Sequence, residues 1–315
     1  MNTPSCNKAL VSIRCYAYNQ APFIKDCLDG MLMQQTCFPF EIIIHDDAST
    51  DGTATIIKDY EARYPGVIKA LYEEENQYSK DGLKAVFDRM NSMAEGKYIA
   101  LCEADDYWTD PLKLQKQVDF MESHPDYGLC YTKSITKYES KGSRKNNPWG
   151  GPNESFKDLI SKNTIPTATV LLRADMEKRY LSEIRPYDHG WLMGDYPKWL
   201  WFSHESKIRF MDEITCVYRA RLSSASHAAN AGRMIRFLYS TMDIALFMES
   251  HFAYPERSLV HIEEYWKKEL FYYAVFHEYR LFFKKLFSSP KLYASPWCLA
   301  LMRYFFRTKR PSDRI

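Results

Sequence analysis

The sequence predicts an α/β protein built on a mainly parallel sheet, followed by a helical C-terminal appendage. Three observations carry this reading. Short apolar runs alternate with stretches of helical periodicity through the first hundred residues, and that alternation implies right-handed crossovers that lay strands down in parallel. Acidic, turn-rich clusters follow two of the apolar runs, and the carboxyl ends of strands are where such sheets bind ligands. From about Gly232 the pattern turns helical and aromatic to the end. Residues 1–230 are therefore read as the α/β domain and residues 231–315 as a helical, aromatic and basic region.

Taken in order, "ALVSIRC" (9–15) is strand-like. The next segment spaces Ile24, Cys27, Leu28 and Met31 as one helix face. "FEIIIH" (40–45) reads as a second buried strand. The turn-rich "DDASTDGT" then leads to a helix with Ile56, Ile57 and Tyr60 on one side. "VIKALY" (67–72) is the third strand. Residues 81–95 place Leu83, Val86, Phe87 and Met90 in helical register, and "KYIALC" is the fourth strand. Asp110 can cap the following helix, with Pro111 in its first turn and Leu114, Val118 and Met121 as its stripe. Residues 138–164 begin polar and rich in Gly, Asn and Pro, which predicts a mobile loop. "TATVLLR" (167–173) resumes a strand and "GDYPKWLWFS" (194–203) opens a helix. "KIRFMDEITCVYRAR" reads as two short strands around a turn.

The totals exclude several classes. The chain has 315 residues, 46% hydrophobic and 26% charged, ordinary for a protein that buries a real core. Its net charge of +2 does not support nucleic-acid binding. The eight cysteines show no CxxC pair and no zinc spacing, and several sit in apolar runs, where a reduced thiol acts as a small hydrophobe. No basic and apolar leader opens the sequence, and no run reaches the ~18 apolar residues of a spanning helix. The reading is a reduced, cytoplasmic protein.

Four stretches carry candidate chemistry. In "HDDAST", two adjacent carboxylates, Asp46 and Asp47, exceed what one helix cap needs, and one at a sheet edge can accept from a base N–H or a ribose hydroxyl. In "CEADDYW", Glu103, Asp105 and Asp106 crowd three like charges, which raise one another's pKa unless a cation or donors hold them. Hard divalent cations such as Mn²⁺ or Mg²⁺ bind through one or two carboxylates plus substrate phosphates; an ordinary acidic turn is the alternative. Asp195, after Gly194, is either a helix N-cap or a group that takes a proton from an attacking hydroxyl. In "YRARLSSASH", Arg219, Arg221 and His227 are either a solvated strand end or contacts to a diphosphate.

The ordered set "VSIRCYAYNQAPFI", "IIIHDDASTDGT", "ENQYSK", "GKYIALCEADDYWTDPLKLQKQVDFM" and "GDYPKWLW" resembles the family 2 glycosyltransferases of bacterial type over roughly residues 9–222. The resemblance implies the GT-A fold, a nucleotide-sugar donor (UDP-sugars foremost) and an inverting transfer to a saccharide or lipid-linked acceptor in surface polysaccharide synthesis. It implies that Asp47 grips the base and that Ala17, Tyr18 and Asn19 form the first nucleotide loop, with Ser79 and Lys80 of "ENQYSK" and Ala104 of the acidic turn at the same donor site. Glu103 and Asp105 take the acid-x-acid positions, Asp105 as metal ligand with Asp106 in support and His227 as a further candidate ligand. Asp195 takes the place of the general base. The chain departs from the family at Tyr16, often Pro; at Ala17, commonly Thr or Val; at Glu103, usually Asp; and at Arg221, frequently His. The QxxRW signature of processive synthases is absent, which favours the addition of one sugar.

Two other classes compete. A sugar nucleotidyltransferase would carry a Gly-rich phosphate loop after the first strand, and "CYAYNQAP" has no Gly. A noncatalytic nucleotide-sugar or carbohydrate-binding module would have no use for Asp195 as a base. The tail leaves two readings open. From Arg280 to Ile315 there are nine Lys or Arg against one acid, and the aromatics between them either pack on protein, including a second subunit of a homodimer, or lie on a membrane surface.

Overall fold

Strand β1 (Val11–Ala17) is buried on both faces, which is why its sequence is a near-continuous apolar run. It pairs in parallel with β2 (Phe40–Asp46) on one side and β4 (Tyr98–Leu101) on the other, and β3 (Ile68–Tyr72) extends the sheet beyond β2. The computed structural model describes residues 8–80, 84–138, 147–221, 231–254, 258–276 and 278–288. Helices α1 (Ile24–Leu32), α2 (Thr53–Arg63), the single turn α3 (Gln77–Lys80) and α4 (Lys84–Met93) fill the connections of this parallel half. Alternation along β2 divides the core: Ile42 and Ile44 join Ile13, Cys27, Leu28 and Ile57 on one face, while Ile43 meets Val86 and Met90 of α4 on the other.

Past β4 the sheet becomes antiparallel. The order runs β3-β2-β1-β4-β8-β6-β9-β5, using β5 (Tyr107–Trp108), β6 (Tyr127–Tyr138), β8 (Leu171–Arg173) and β9 (Lys207–Ala220), and β7 (Asn147–Trp149) pairs with β6. Helix α1 approaches β5 so closely that a Cβ on Gly30 would stand 2.8 Å from the Trp108 carbonyl oxygen, which only glycine permits. Helix α5 (Lys113–Ser123) packs beneath through Leu114, Val118 and Met121.

Three segments differ from the sequence reading. The expected loop 138–164 contains β7 and helix α6 (Phe156–Ser161), started by Ser155, whose Oγ accepts from the Asp158 N–H at 3.2 Å; residues 139–146 lie outside the described chain. The polar "NPWGGPNE" hid a short helix that its own cap announces. Residues 167–169 form a 3-10 turn, so the strand shrinks to β8. The two short strands at 207–220 are one continuous β9. Its charges looked like a turn but lie along the strand, Asp212 pairing with Lys133 and Glu213 with Lys116.

The chain divides into two compact units, Met1–Lys137 with Lys145–Gly190 and Lys198–Arg219, and Tyr138–Arg144 with Trp191–Pro197 and Ala220–Ile315. The first holds the sheet with α7 (Ala174–Ile184) and most of α8 (Tyr196–Glu205). In its interior Arg14 is 1% exposed and donates to both carboxylate oxygens of Glu177 at 2.6 Å and to Asn91 Oδ1 at 2.5 Å. Lys198 makes a second ion pair with Glu177. In the second unit, α9 (Ala231–His251), α10 (Ser258–Val275) and α11 (Tyr279–Phe287) pack their aromatics together: Phe282 and Leu286 join Leu270 and Ala274, flanked by Trp266 and Tyr273. The segment Trp191–Pro197 rests on α9, with Trp191 edge-on to Phe247 and the Leu192 N–H donating to Ser240 Oγ at 2.8 Å. Among the described residues no helix is long and apolar enough to cross a membrane.

Lys113 is a buried cation without a carboxylate bond among the described residues. Its Nζ lies 4.1 Å over the Trp108 ring and donates to Gln117 Oε1 at 2.7 Å. Burial pushes its ammonium pKa down to about 8. Between that value and the unfolded lysine's ~10.4 the unfolded chain holds more protons, so stability rises with pH across this window. The melting temperature of the wild type relative to Lys113→Met is therefore expected to climb from pH 7.5 to 10. A difference that stays flat would show that the ammonium remains charged in the fold.

Candidate active site

The parallel half of the sheet brings three strand ends together. Cys102 donates its N–H to the Arg14 carbonyl and Ala104 donates to the Tyr16 carbonyl, both at 3.2 Å, so the β1–β4 ladder continues into the acidic turn. Asp47 donates its N–H to the Ala17 carbonyl at 2.9 Å and joins the end of β2 to the same edge. The loop after β1 is stitched to the loop after β2. Asn19, with φ of 52°, donates its N–H to Ser49 Oγ and accepts from the Thr50 N–H, each at 2.9 Å. Gln20 N–H reaches Thr53 Oγ1 at 2.8 Å and Ala21 N–H reaches Asp51 Oδ2 at 2.9 Å. Tyr18 stands out of this loop, 48% exposed.

The acidic turn is braced from behind. Asp106 closes it by donating its N–H to the Glu103 carbonyl at 3.0 Å, and its buried carboxylate accepts from the Arg219 N–H at 2.8 Å. The Arg219 guanidinium donates to the Asp105 carbonyl at 2.7 Å and pairs with Asp26 of α1. It lies 4.5 Å over Tyr107 and 5.1 Å over Phe23. Arg219, expected from the sequence to reach a diphosphate, is thus 6% exposed and spends these donors on the turn. Sequence reasoning did not find Asp26, because its partner is 193 residues away.

Glu103 is exposed, Asp105 half-buried and Asp106 buried, and each offers an oxygen within 4.8 Å of the other two. Burial and the charges of Glu103 and Asp105 push the Asp106 carboxyl well above the usual carboxylate range. Three convergent hard oxygen donors whose mutual repulsion a dication would relieve fit Mg²⁺ or Mn²⁺.

The two carboxylates of the second acidic pair have different partners. Both Asp47 oxygens accept backbone N–H groups, from Gln77 at 2.7 Å and Tyr78 at 3.2 Å, and so cap α3. Asp46 Oδ2 accepts from the Ser49 N–H at 3.2 Å, while its buried Oδ1 has no hydrogen-bond partner among the described residues. Ser79 bonds Asn76 Oδ1 at 2.6 Å and Lys80 pairs with Glu75, both exposed on α3.

Asp195 belongs to the second unit, on the turn before α8, where its Oδ1 accepts from the Tyr196 N–H at 2.7 Å. Arg221, half-buried, is also in that unit. His227 lies outside the described residues.

Comparison with known proteins gives concordant results. The sequence model of the family described as Glycosyl transferase family 2 matches residues 12–180. The uncharacterized protein Rv1520 of Mycobacterium tuberculosis is 35% identical over 232 residues, 71% of this chain, and the chain spans 62% of that relative's length. The mannosyltransferase PcManGT from Pyrobaculum calidifontis, solved with GDP-Man and Mn²⁺, superposes with a TM-score of 0.56 at 15% identity, covering 94% of this chain and 79% of its own. S. aureus TarS 1-349, solved with UDP-GlcNAc, superposes with a TM-score of 0.54 at 15% identity, covering 94% and 80%. These two establish the fold, a GT-A-like α/β domain followed by C-terminal helices. With its family's model matching more than half of its length, the chain belongs to glycosyltransferase family 2.

Proposed function

We propose that the protein is a metal-dependent, inverting glycosyltransferase that moves one sugar from a nucleoside-diphosphate sugar to a saccharide or lipid-linked acceptor. The observation that carries this reading is the acidic turn at the joined ends of β1, β2 and β4, braced by Arg219, where the carboxylates of exposed Glu103, half-buried Asp105 and buried Asp106 converge. Glu103, Asp105 and Asp106 would hold a divalent cation, which would supply charge neutralisation at the departing diphosphate. The loops carrying Ala17, Tyr18, Asn19, Asp46 and Asp47 receive the nucleoside, and the donors bound to TarS and PcManGT support this class of substrate. Uridine is the base expected from the family resemblance. Asp195 takes the acceptor hydroxyl proton as the new bond forms, and a single displacement inverts the anomeric carbon.

The test is a screen of UDP-, GDP- and dTDP-sugars for hydrolysis with Mn²⁺, Mg²⁺ or EDTA. Release of nucleoside diphosphate from one donor, silenced by EDTA, is the expected result; metal-independent release or none would remove the reading. Asp195→Asn keeps the contact to the Tyr196 N–H but removes the base. Transfer is expected to fall about 10²–10⁴-fold with nucleotide affinity unchanged. A collapse of nucleotide affinity would place Asp195 in the donor site instead.

The C-terminal helices extend the proposal. Phe271, Tyr279, Leu281 and Phe287 remain exposed on α10 and α11 although these helices pack on one another. This leaves aromatic surface for contact with a membrane that carries a lipid-linked acceptor.

A further inference from the structure

Strand β9 reaches the acidic turn with two successive side chains that do different work. Tyr107 lies opposite Val217 and Trp108 opposite Cys216 across the β5–β9 pair, so alternation puts Arg219 on the Tyr107 face and Tyr218 on the other. Arg219 is consumed in bracing the turn. Tyr218, half-buried, instead meets Trp149, with ring centroids 6.2 Å apart and planes at 48°.

Trp149 is placed where a core residue would not be. All three residues of β7 are exposed, and Trp149 keeps 38% of its surface in solvent. Pro148 has no N–H to offer a neighbouring strand, which suits an edge. The backbone that carries the ring is nevertheless well held. Trp149 is in register with Ser134 of β6. Gly150 turns the chain with φ of 123° against the Lys133 backbone, and the Tyr131 hydroxyl pins the next residue by donating to the Gly151 carbonyl at 2.6 Å. An indole on an anchored backbone, paired with a second ring and left partly open, offers aromatic area to a ligand at reduced ordering cost.

We propose that Trp149 and Tyr218 form an aromatic platform that binds a pyranose ring of the saccharide acceptor; this deepens the transferase reading and rests on it. A pyranose presents a face of C–H groups that packs on an aromatic ring, while its hydroxyls stay at the rim. Tyr218 is next in sequence to Arg219, whose N–H bonds Asp106, and both platform residues are in the same unit as the acidic turn. Arg219, the next residue along β9, braces the turn assigned to the donor diphosphate, so Tyr218 and that brace share one strand.

The test uses an immobilised array of di- to tetrasaccharides built from hexoses, N-acetylhexosamines and 6-deoxyhexoses, probed with the full chain. Wild-type protein is expected to be retained by a subset of the array. Trp149→Ala and Tyr218→Ala should weaken that retention about tenfold or more, while Trp149→Phe, which keeps a ring, retains most of it. Thermal melts check that each variant folds. Wild-type protein retained by no saccharide, or Trp149→Ala retained as well as wild type, overturns the platform. Donor hydrolysis by the wild type is measured separately. If no donor is hydrolysed yet retention depends on Trp149, the platform stands and the transferase reading fails; if a donor is hydrolysed but retention ignores Trp149, the platform alone fails.

Discussion

Asp105→Asn is expected to reduce nucleotide-sugar turnover by about 10³-fold, the rate equivalent of losing several kcal/mol of charge stabilisation at the diphosphate. The fold should survive it. What holds the turn is backbone: the Ala104 N–H on Tyr16, the Asp105 carbonyl on Arg219 and the Asp106 N–H on Glu103. An amide at position 105 leaves all three in place and removes one of the three charges. Steady-state kinetics with added Mn²⁺, beside a thermal melt, separates the two effects. Turnover within a few-fold of wild type would remove Asp105 from the metal site. Loss of activity together with a lowered melt would make its role structural.

Glu177→Gln is expected to cost about 3–5 kcal/mol of stability, because it leaves two buried cations without their counter-charge. Arg14 has no exposed side-chain surface and Lys198 5%. Burial alone would raise the Glu177 carboxyl; the charges of Arg14 and Lys198 overcome it and hold it at about 2. A carboxyl held below its unfolded value contributes stability that is present above the unfolded pKa of ~4.3 and disappears as pH falls through the folded value. The gap between wild type and Glu177→Gln should therefore be full at neutral pH and shrink between pH 5 and pH 2. Urea unfolding at a series of pH values measures it. A gap below about 1 kcal/mol at pH 7 would show that water or another donor reaches the site.

Much of the parallel half was legible because each element announced itself locally. The alternation of runs such as "FEIIIH" with the Ile24, Cys27, Leu28 and Met31 stripe needs no distant partner to be read. The acidic turn was legible for the opposite reason: three carboxylates in four positions make no sense without something to balance them. What the sequence did not disclose depends on distance. Arg219 looked like a free cation at a strand end, and only the fold shows it bound to Asp26 and to the turn. Arg14 was one charge in an apolar strand, a signal that a buried counter-charge exists, but nothing local identifies Glu177. Asp47 stands at the base-gripping position of the resemblance, and nothing local shows that both its oxygens also accept N–H groups of α3, or that Asp46 Oδ1 has no partner among the described residues. Helix α6 was lost among the Gly and Pro that precede it, although Ser155 and Asp158 mark its start.

The most direct test is calorimetric titration of UDP into wild-type protein and Asp105→Asn, each in Mn²⁺ and again in EDTA. The proposed site predicts binding that is at least about tenfold tighter with Mn²⁺ for the wild type, and that this gain vanishes in Asp105→Asn. Equal affinity in Mn²⁺ and EDTA, or a full metal-dependent gain in the variant, would contradict the assignment of the acidic turn as the metal-assisted diphosphate site.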